Sequence, residues 1–170
     1  MKKRIIMASI ILMISSASAS ALPFIDFQLG AGYNGFYVTD GDNDFKGYPL
    51  GMTAFGGVGY KFFPTLSIGA EYEYAQSWSR DDLGTGLTLS VVEHLPKMYL
   101  KFNALNLLTV SALAGVDYQT PRMDSTNGNS EAAFTMGARV AFLFAYAQYL
   151  MVFNPDSVDN RISIGAIFSK

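Results

Sequence analysis

AAFTMGARVAFLFAYAQYLMVF, residues 132–153, is almost wholly apolar, and whether it crosses a bilayer as one helix or returns on itself as two strands decides the fold. A spanning helix needs about 20 predominantly apolar residues. Arg139 breaks the run and leaves Val140–Phe153 as its uncharged part, which at about 1.5 Å per residue is too short. On a helix, at about 100° per residue, Arg139 and Gln148 also fall on opposite sides. One of them would then face lipid, at a cost of a few kcal/mol for arginine. A hairpin turning at Leu143–Phe144 removes the conflict. Arg139 and Gln148 become cross-strand partners on one face, together with Thr135 and Gly137. Phe134, Met136, Ala138, Val140 and Phe142 then face lipid, continued by Ala147, Tyr149, Met151 and Phe153. The turn lacks the Gly, Asn, Asp or Pro that hairpins ordinarily use.

Most of the remaining sequence alternates at period two, as strands with two unlike faces do. In FIDFQLGAGYNG, Ile25, Phe27, Leu29, Ala31 and Tyr33 oppose Asp26, Gln28, Gly30, Gly32 and Asn34. PLGMTAFGGVGYKFF sets Leu50, Met52, Ala54, Val58, Tyr60 and Phe62 against Gly51, Thr53, Gly57, Gly59 and Lys61. LSIGAEYEYA, KMYLKFNA, LLTVSALAGVDYQ and RISIGAIF repeat the pattern. With the hairpin this makes eight strands. One face is continuous and uncharged; the other holds glycines, small residues and charges, as the crowded inside of a narrow barrel requires.

The connections alternate in length. FPT and ALN are very tight, whereas TDGDNDFKG, SWSRDDLGTG, TPRMDSTNGNSE and NPDSVDN are longer and polar. Transmembrane barrels pair short turns at one end with long loops at the other. Aromatic residues fall near the expected strand ends: Tyr60, Phe62, Phe102, Phe142 and Phe168 below, and Tyr37, Tyr48, Tyr74, Trp78, Tyr118 and Phe153 above. They would form two interfacial girdles.

Residues 1–21, MKKRIIMASIILMISSASASA, have a cationic start, a short apolar run and small residues before a break after Ala19 or Ala21, the layout of a cleavable secretory signal. Residues 22–170 would then be one domain carrying nine basic and 14 acidic residues, a net charge of −5. The chain has no cysteine, which excludes a disulfide scaffold. The absence of basic clusters argues against nucleic acid.

The inward set holds Asp26, Glu71, Glu73 and Asp117 against Lys61, Lys97, Lys101, Arg139 and Arg161. Buried charges must pair, so Asp26, Glu71, Glu73, Lys97, Lys101, Asp117, Arg139, Gln148 and Arg161 are expected to form a polar network that closes the lumen. Glu71, Glu73, Lys97 and Arg139 should lie near mid-barrel. Such a network is either a static plug or a gate whose ion pairs exchange partners.

Three further motifs carry less. GAGYNG fits the dinucleotide fingerprint, but a loop follows it and Gly51 and Met52 lie where the acid belongs. Asp40, Asp42 and Asp44 resemble the start of a calcium loop, yet Phe45 and Gly51 stand at the glycine and glutamate positions. Ser90, Glu93 and His94 hold the residue types of a hydrolase triad, but Ser90 and His94 would lie about 13 Å apart on an extended strand. No cysteine–histidine–carboxylate set suggests a metal, and no cofactor is expected.

Export signal, eight alternating segments, tight lower turns and the terminal RISIGAIFSK together resemble the small eight-stranded outer-membrane barrels of the OmpA and OmpX type. The resemblance covers residues 22–170 and is architectural; Phe168 is followed by Ser169 and Lys170, where members usually end in an aromatic residue. It implies an antiparallel up-and-down transmembrane β-barrel in the outer membrane of a diderm bacterium, exported through the secretory pathway. It also implies a monomer, surrounded by lipid and lipopolysaccharide and inserted by the barrel-assembly machinery. The expected role is non-enzymatic, structural or in adhesion or defence through the external loops. The alternatives are a narrow channel for small or apolar solutes, as in OmpW-like barrels, and a lipid-A-modifying enzyme.

Overall fold

The structure, a computed structural model, describes residues 24–39, 50–79, 89–104, 107–123, 126–127, 129–155 and 158–170. The signal segment, Asp40, Asp42, Asp44 and Tyr48 lie outside these residues. Nine strands follow in order: β1 (Ile25–Thr39), β2 (Leu50–Phe63), β3 (Leu66–Ser79), β4 (Leu89–Ala104), β5 (Leu108–Met123), β6 (Thr126–Asn127), β7 (Glu131–Phe142), β8 (Ala145–Phe153) and β9 (Val158–Ser169). β6 is a two-residue strand that pairs back onto the end of β5. Each of the other eight has at least the ~9 residues needed to cross a bilayer when tilted.

Successive long strands pair antiparallel, β5 with β7 included, and β1 pairs with β9 from Gln28↔Ser169 to Thr39↔Val158, which closes the sheet on itself. Residues 132–153 fold back as two strands, β7 and β8. Phe142 pairs with Ala145, the turn is Leu143–Phe144, and Arg139 stands opposite Gln148. Leu143 is the one described non-glycine residue with positive φ, 56°. Flanking elements hold this glycine-free turn by backbone hydrogen bonds. The Leu143 N–H donates to the Leu107 carbonyl at 2.9 Å, and the Ile167 N–H donates to the Phe144 carbonyl at 2.8 Å.

Arginine, lysine and glutamate side chains are buried while large apolar ones are exposed, among them Val58, Met98, Leu100, Met136, Ile162 and Ile164. In water that surface would cost roughly 25 cal/mol per Å²; against acyl chains it costs nothing. The barrel is therefore transmembrane. Tyr60, Phe62, Phe102, Phe142 and Phe168 toward the short turns, and Tyr74, Trp78, Tyr118 and Phe153 toward the other end, are all exposed on its outside.

Two boundaries differ from the sequence expectation. β4 begins at Leu89, ahead of the KMYLKFNA stretch, and runs straight through Pro96. Pro96 keeps its place opposite Tyr72 in β3, and only toward β5 do Leu95 and Pro96 lack a paired residue, since proline has no N–H to give. β5 likewise continues to Met123, through residues assigned to a loop.

Candidate functional site

The inside of the barrel is built from alternate residues of every long strand, and all nine expected network residues are buried there. Glu71 and Glu73, two apart on β3, project inward side by side. The Arg139 guanidinium of β7 grips Glu71 in a forked pair, Nη1 to Oε2 at 2.8 Å and Nη2 to Oε1 at 2.7 Å. Its Nε donates to Gln148 Oε1 at 2.9 Å, and Gln28 of β1 donates to Glu71 at 2.6 Å. Lys97 of β4 lies between the two acids, 3.0 Å from Glu71 and ion-paired to Glu73. Glu73 also pairs with Arg161 of β9 and accepts from Thr53 of β2 at 2.6 Å and Gln148 of β8 at 3.0 Å. Seven of the eight long strands thus contribute to one knot, none of whose side chains is more than 4% exposed. Forked, charge-assisted bonds are the arrangement that offsets the desolvation of buried ions.

Toward the short turns a second group forms. Asp26 pairs with Lys101 and accepts from the Tyr99 hydroxyl at 2.6 Å, while Lys101 donates to Ser169 at 2.9 Å. Toward the long loops, Arg161 approaches Glu93 at 3.6 Å and Gln119 donates to Asp117 at 3.0 Å.

Sequence reading missed the apolar part of this interior. Phe55, Ala141, Tyr146 and Ile167 form one buried cluster, and Ala75, Leu95, Tyr99, Leu113 and Leu150 another. The Phe55 ring lies 3.7 Å from the Arg139 guanidinium and meets Tyr146 edge-on at 5.3 Å, so the central cation is stacked as well as paired. Inward glycines make room for these rings: a Cβ at Gly30 would collide with Phe55, and one at Gly59 or Gly69 with Tyr99. Glu93 was missed too, although its spacing from Leu95 and Lys97 along β4 could have placed it inside. Lys61 is only half-buried, at the short-turn mouth, where with Asn103, Thr109, Ser169 and Lys170 it lines a cavity of about 220 Å³.

The hydrolase residue types do not converge. Glu93 points into the lumen, fully buried, whereas His94 and Ser90 belong to the outward set. GAGYNG is part of β1, with Gly30 and Gly32 packed against the interior. Among the described residues, no group of three histidine, cysteine or carboxylate side chains could hold a metal.

No family model matches the sequence, and no curated protein does. Solved structures do. Ail, the attachment invasion locus protein of Yersinia pestis, solved in complex with the heparin analogue sucrose octasulfate, matches with a TM-score of 0.59 at 13% identity, covering 85% of this chain and 99% of that one. The chain has the fold of the small eight-stranded outer-membrane barrels. The Ail structure in a phospholipid bilayer nanodisc matches at 0.54 and 16% identity, again over 85% of this chain and 99% of that one. Neisserial surface protein A matches at 0.48 and 12% identity, over 84% and 95%. At these identities the likeness is one of fold.

Proposed function

We propose that this chain is a closed outer-membrane barrel, exported by a signal at residues 1–21 that is then cleaved off, that acts as a non-enzymatic scaffold. It presents its four long connections at the cell surface for a structural, adhesive or defensive role. It sits as a monomer among outer-membrane lipid and lipopolysaccharide, after insertion by the barrel-assembly machinery. One observation carries this reading: the knot of Glu71, Glu73, Lys97, Arg139, Gln148 and Arg161 crosses the lumen with each carboxylate bonded to three or more donors. Apolar clusters pack against the same space. A solute path would have to break several charge-assisted bonds at once, each worth about 1.5–3 kcal/mol. The interior is a static plug, and the parts left free to act are outside it.

Planar-bilayer recording tests this. The refolded barrel should give no steady, reproducible single-channel openings; openings of uniform size would overturn the plug and favour the channel.

A further inference from the structure

The cavity at the short-turn mouth differs in chemistry from the plug above it. Its volume of about 220 Å³ is room for roughly seven water-sized groups, at about 30 Å³ each. Lys61 lines it from β2, inward and half-buried, and holds no ion pair or hydrogen bond among the described residues. The other inward cations, Lys97, Lys101, Arg139 and Arg161, all grip carboxylates.

Three more polar groups converge on the same space. Asn103 of β4 and Thr109 of β5 stand opposite each other in the ladder, and among the described residues neither side chain is hydrogen-bonded. Ser169 of β9 accepts from Lys101 Nζ at 2.9 Å. A hydroxyl that accepts from an ammonium keeps its own proton for another partner.

No side-chain carboxylate among the described residues answers these donors. Asp26, the acid nearest this end, is held by Lys101 and by the Tyr99 hydroxyl. The turns FPT, ALN and Leu143–Phe144 contain no acid, and Lys170 adds a second ammonium at the rim. A partly desolvated ammonium without a counter-charge is disfavoured, and a carboxylate is the acceptor that bonds it most strongly.

The rest of the wall is apolar. Ala141 and Ile167, both 5% exposed, reach the cavity from the cluster that contains Phe55 and Tyr146. Leu107 and Leu143 stand at the rim. Apolar walls with a few placed polar groups are the usual make-up of a small-molecule site.

We propose that this mouth binds a small amphiphilic monocarboxylate, its carboxylate accepting from Lys61, Asn103 and the Ser169 hydroxyl while its short alkyl part rests on Ala141 and Ile167. A bare anion would leave the apolar wall wetted, and a neutral chain would leave Lys61 without a counter-charge. The single ammonium that lacks a partner matches a single negative charge. The ligand enters from the short-turn side, below the plug, so the site goes beyond the scaffold role and stands whether or not the lumen conducts.

Backbone-amide NMR of the full barrel in bilayer nanodiscs tests this with three probes: pentanoate, which suits the cavity in size, its neutral isostere pentanamide, and inorganic phosphate. Pentanoate should shift the Asn103, Thr109 and Ser169 amides saturably. Pentanamide should bind about tenfold or more weakly, the discrimination that a charge-assisted bond provides. Phosphate, which has no chain to bury, should also bind more weakly. Lys61→Gln should remove the preference for acid over amide, and Lys61→Arg, which keeps the charge, should retain it. Lys61 holds no other group in place, so both variants should keep the heat-modifiable gel mobility of the folded barrel. Absence of saturable shifts, equal binding of acid and amide by wild type, phosphate as tight as pentanoate, or an undiminished preference in Lys61→Gln would each overturn the proposal. Single-channel recording reports separately on the plug.

Discussion

Arg139 is held by side chains from three other strands: Glu71 of β3, Gln148 of β8 and the Phe55 ring of β2. Removing it strands part of the charge of a buried glutamate, and breaking a buried pair by deleting one partner costs about 3–5 kcal/mol. Arg139→Met should therefore destabilise the barrel by about that amount, read from urea unfolding in vesicles. Adding Glu71→Gln should recover part of the loss, because it removes the uncompensated charge; additive losses would show that the two residues are not coupled. This network could be read in advance because an arginine amid apolar residues has few places to go in lipid. Its stacking partners could not. Phe55, Tyr146 and Ile167 sit on the inward parity, but they are apolar, and sorting residues to faces by polarity leaves such side chains without a side.

At the scale of elements, the β7–β8 hairpin shows where local chemistry yields to its surroundings. A positive φ at Leu143 lacks the glycine or asparagine that would ease it, and L-residues there are disfavoured by roughly 1–2 kcal/mol. Register with β5 and β9 supplies the compensation, through the backbone bonds to Leu107 and from Ile167. Leu143→Gly should therefore stabilise the barrel, by about 1 kcal/mol after glycine's own entropic cost. A higher urea midpoint with an unchanged slope would show this, and a lower midpoint would mean that Leu143 is needed for its exposed contacts. The hairpin itself was legible because nine-residue spacing cannot put Arg139 and Gln148 on one side of a helix. The true start of β4 was not: Pro96 signals a strand end by its missing N–H, but here only one neighbour's ladder loses a pair.

At the scale of the whole molecule, alternation, turn lengths and inward charge together pointed to an eight-stranded barrel, since each constrains the same closed sheet. What fills the lumen is set by how strands far apart in sequence face one another across it, and period-two counting along one strand carries no such information. The seam between β1 and β9 has a consequence for how the molecule comes into being. Gln28 meets Ser169 and Thr39 meets Val158, partners separated by 141 and 119 residues along the chain. Until the final strand arrives, β1 presents an unpaired edge that hydrocarbon cannot satisfy. A chain lacking residues 158–170 should accordingly yield no heat-modifiable band on gels, whereas an intact chain should; a compact band from the shortened chain would mean that β8 can zip directly to β1. Assembly is thus all-or-nothing and waits on β9, so that a chain cut short before Val158 leaves the cell with an open sheet and not a slightly weaker barrel.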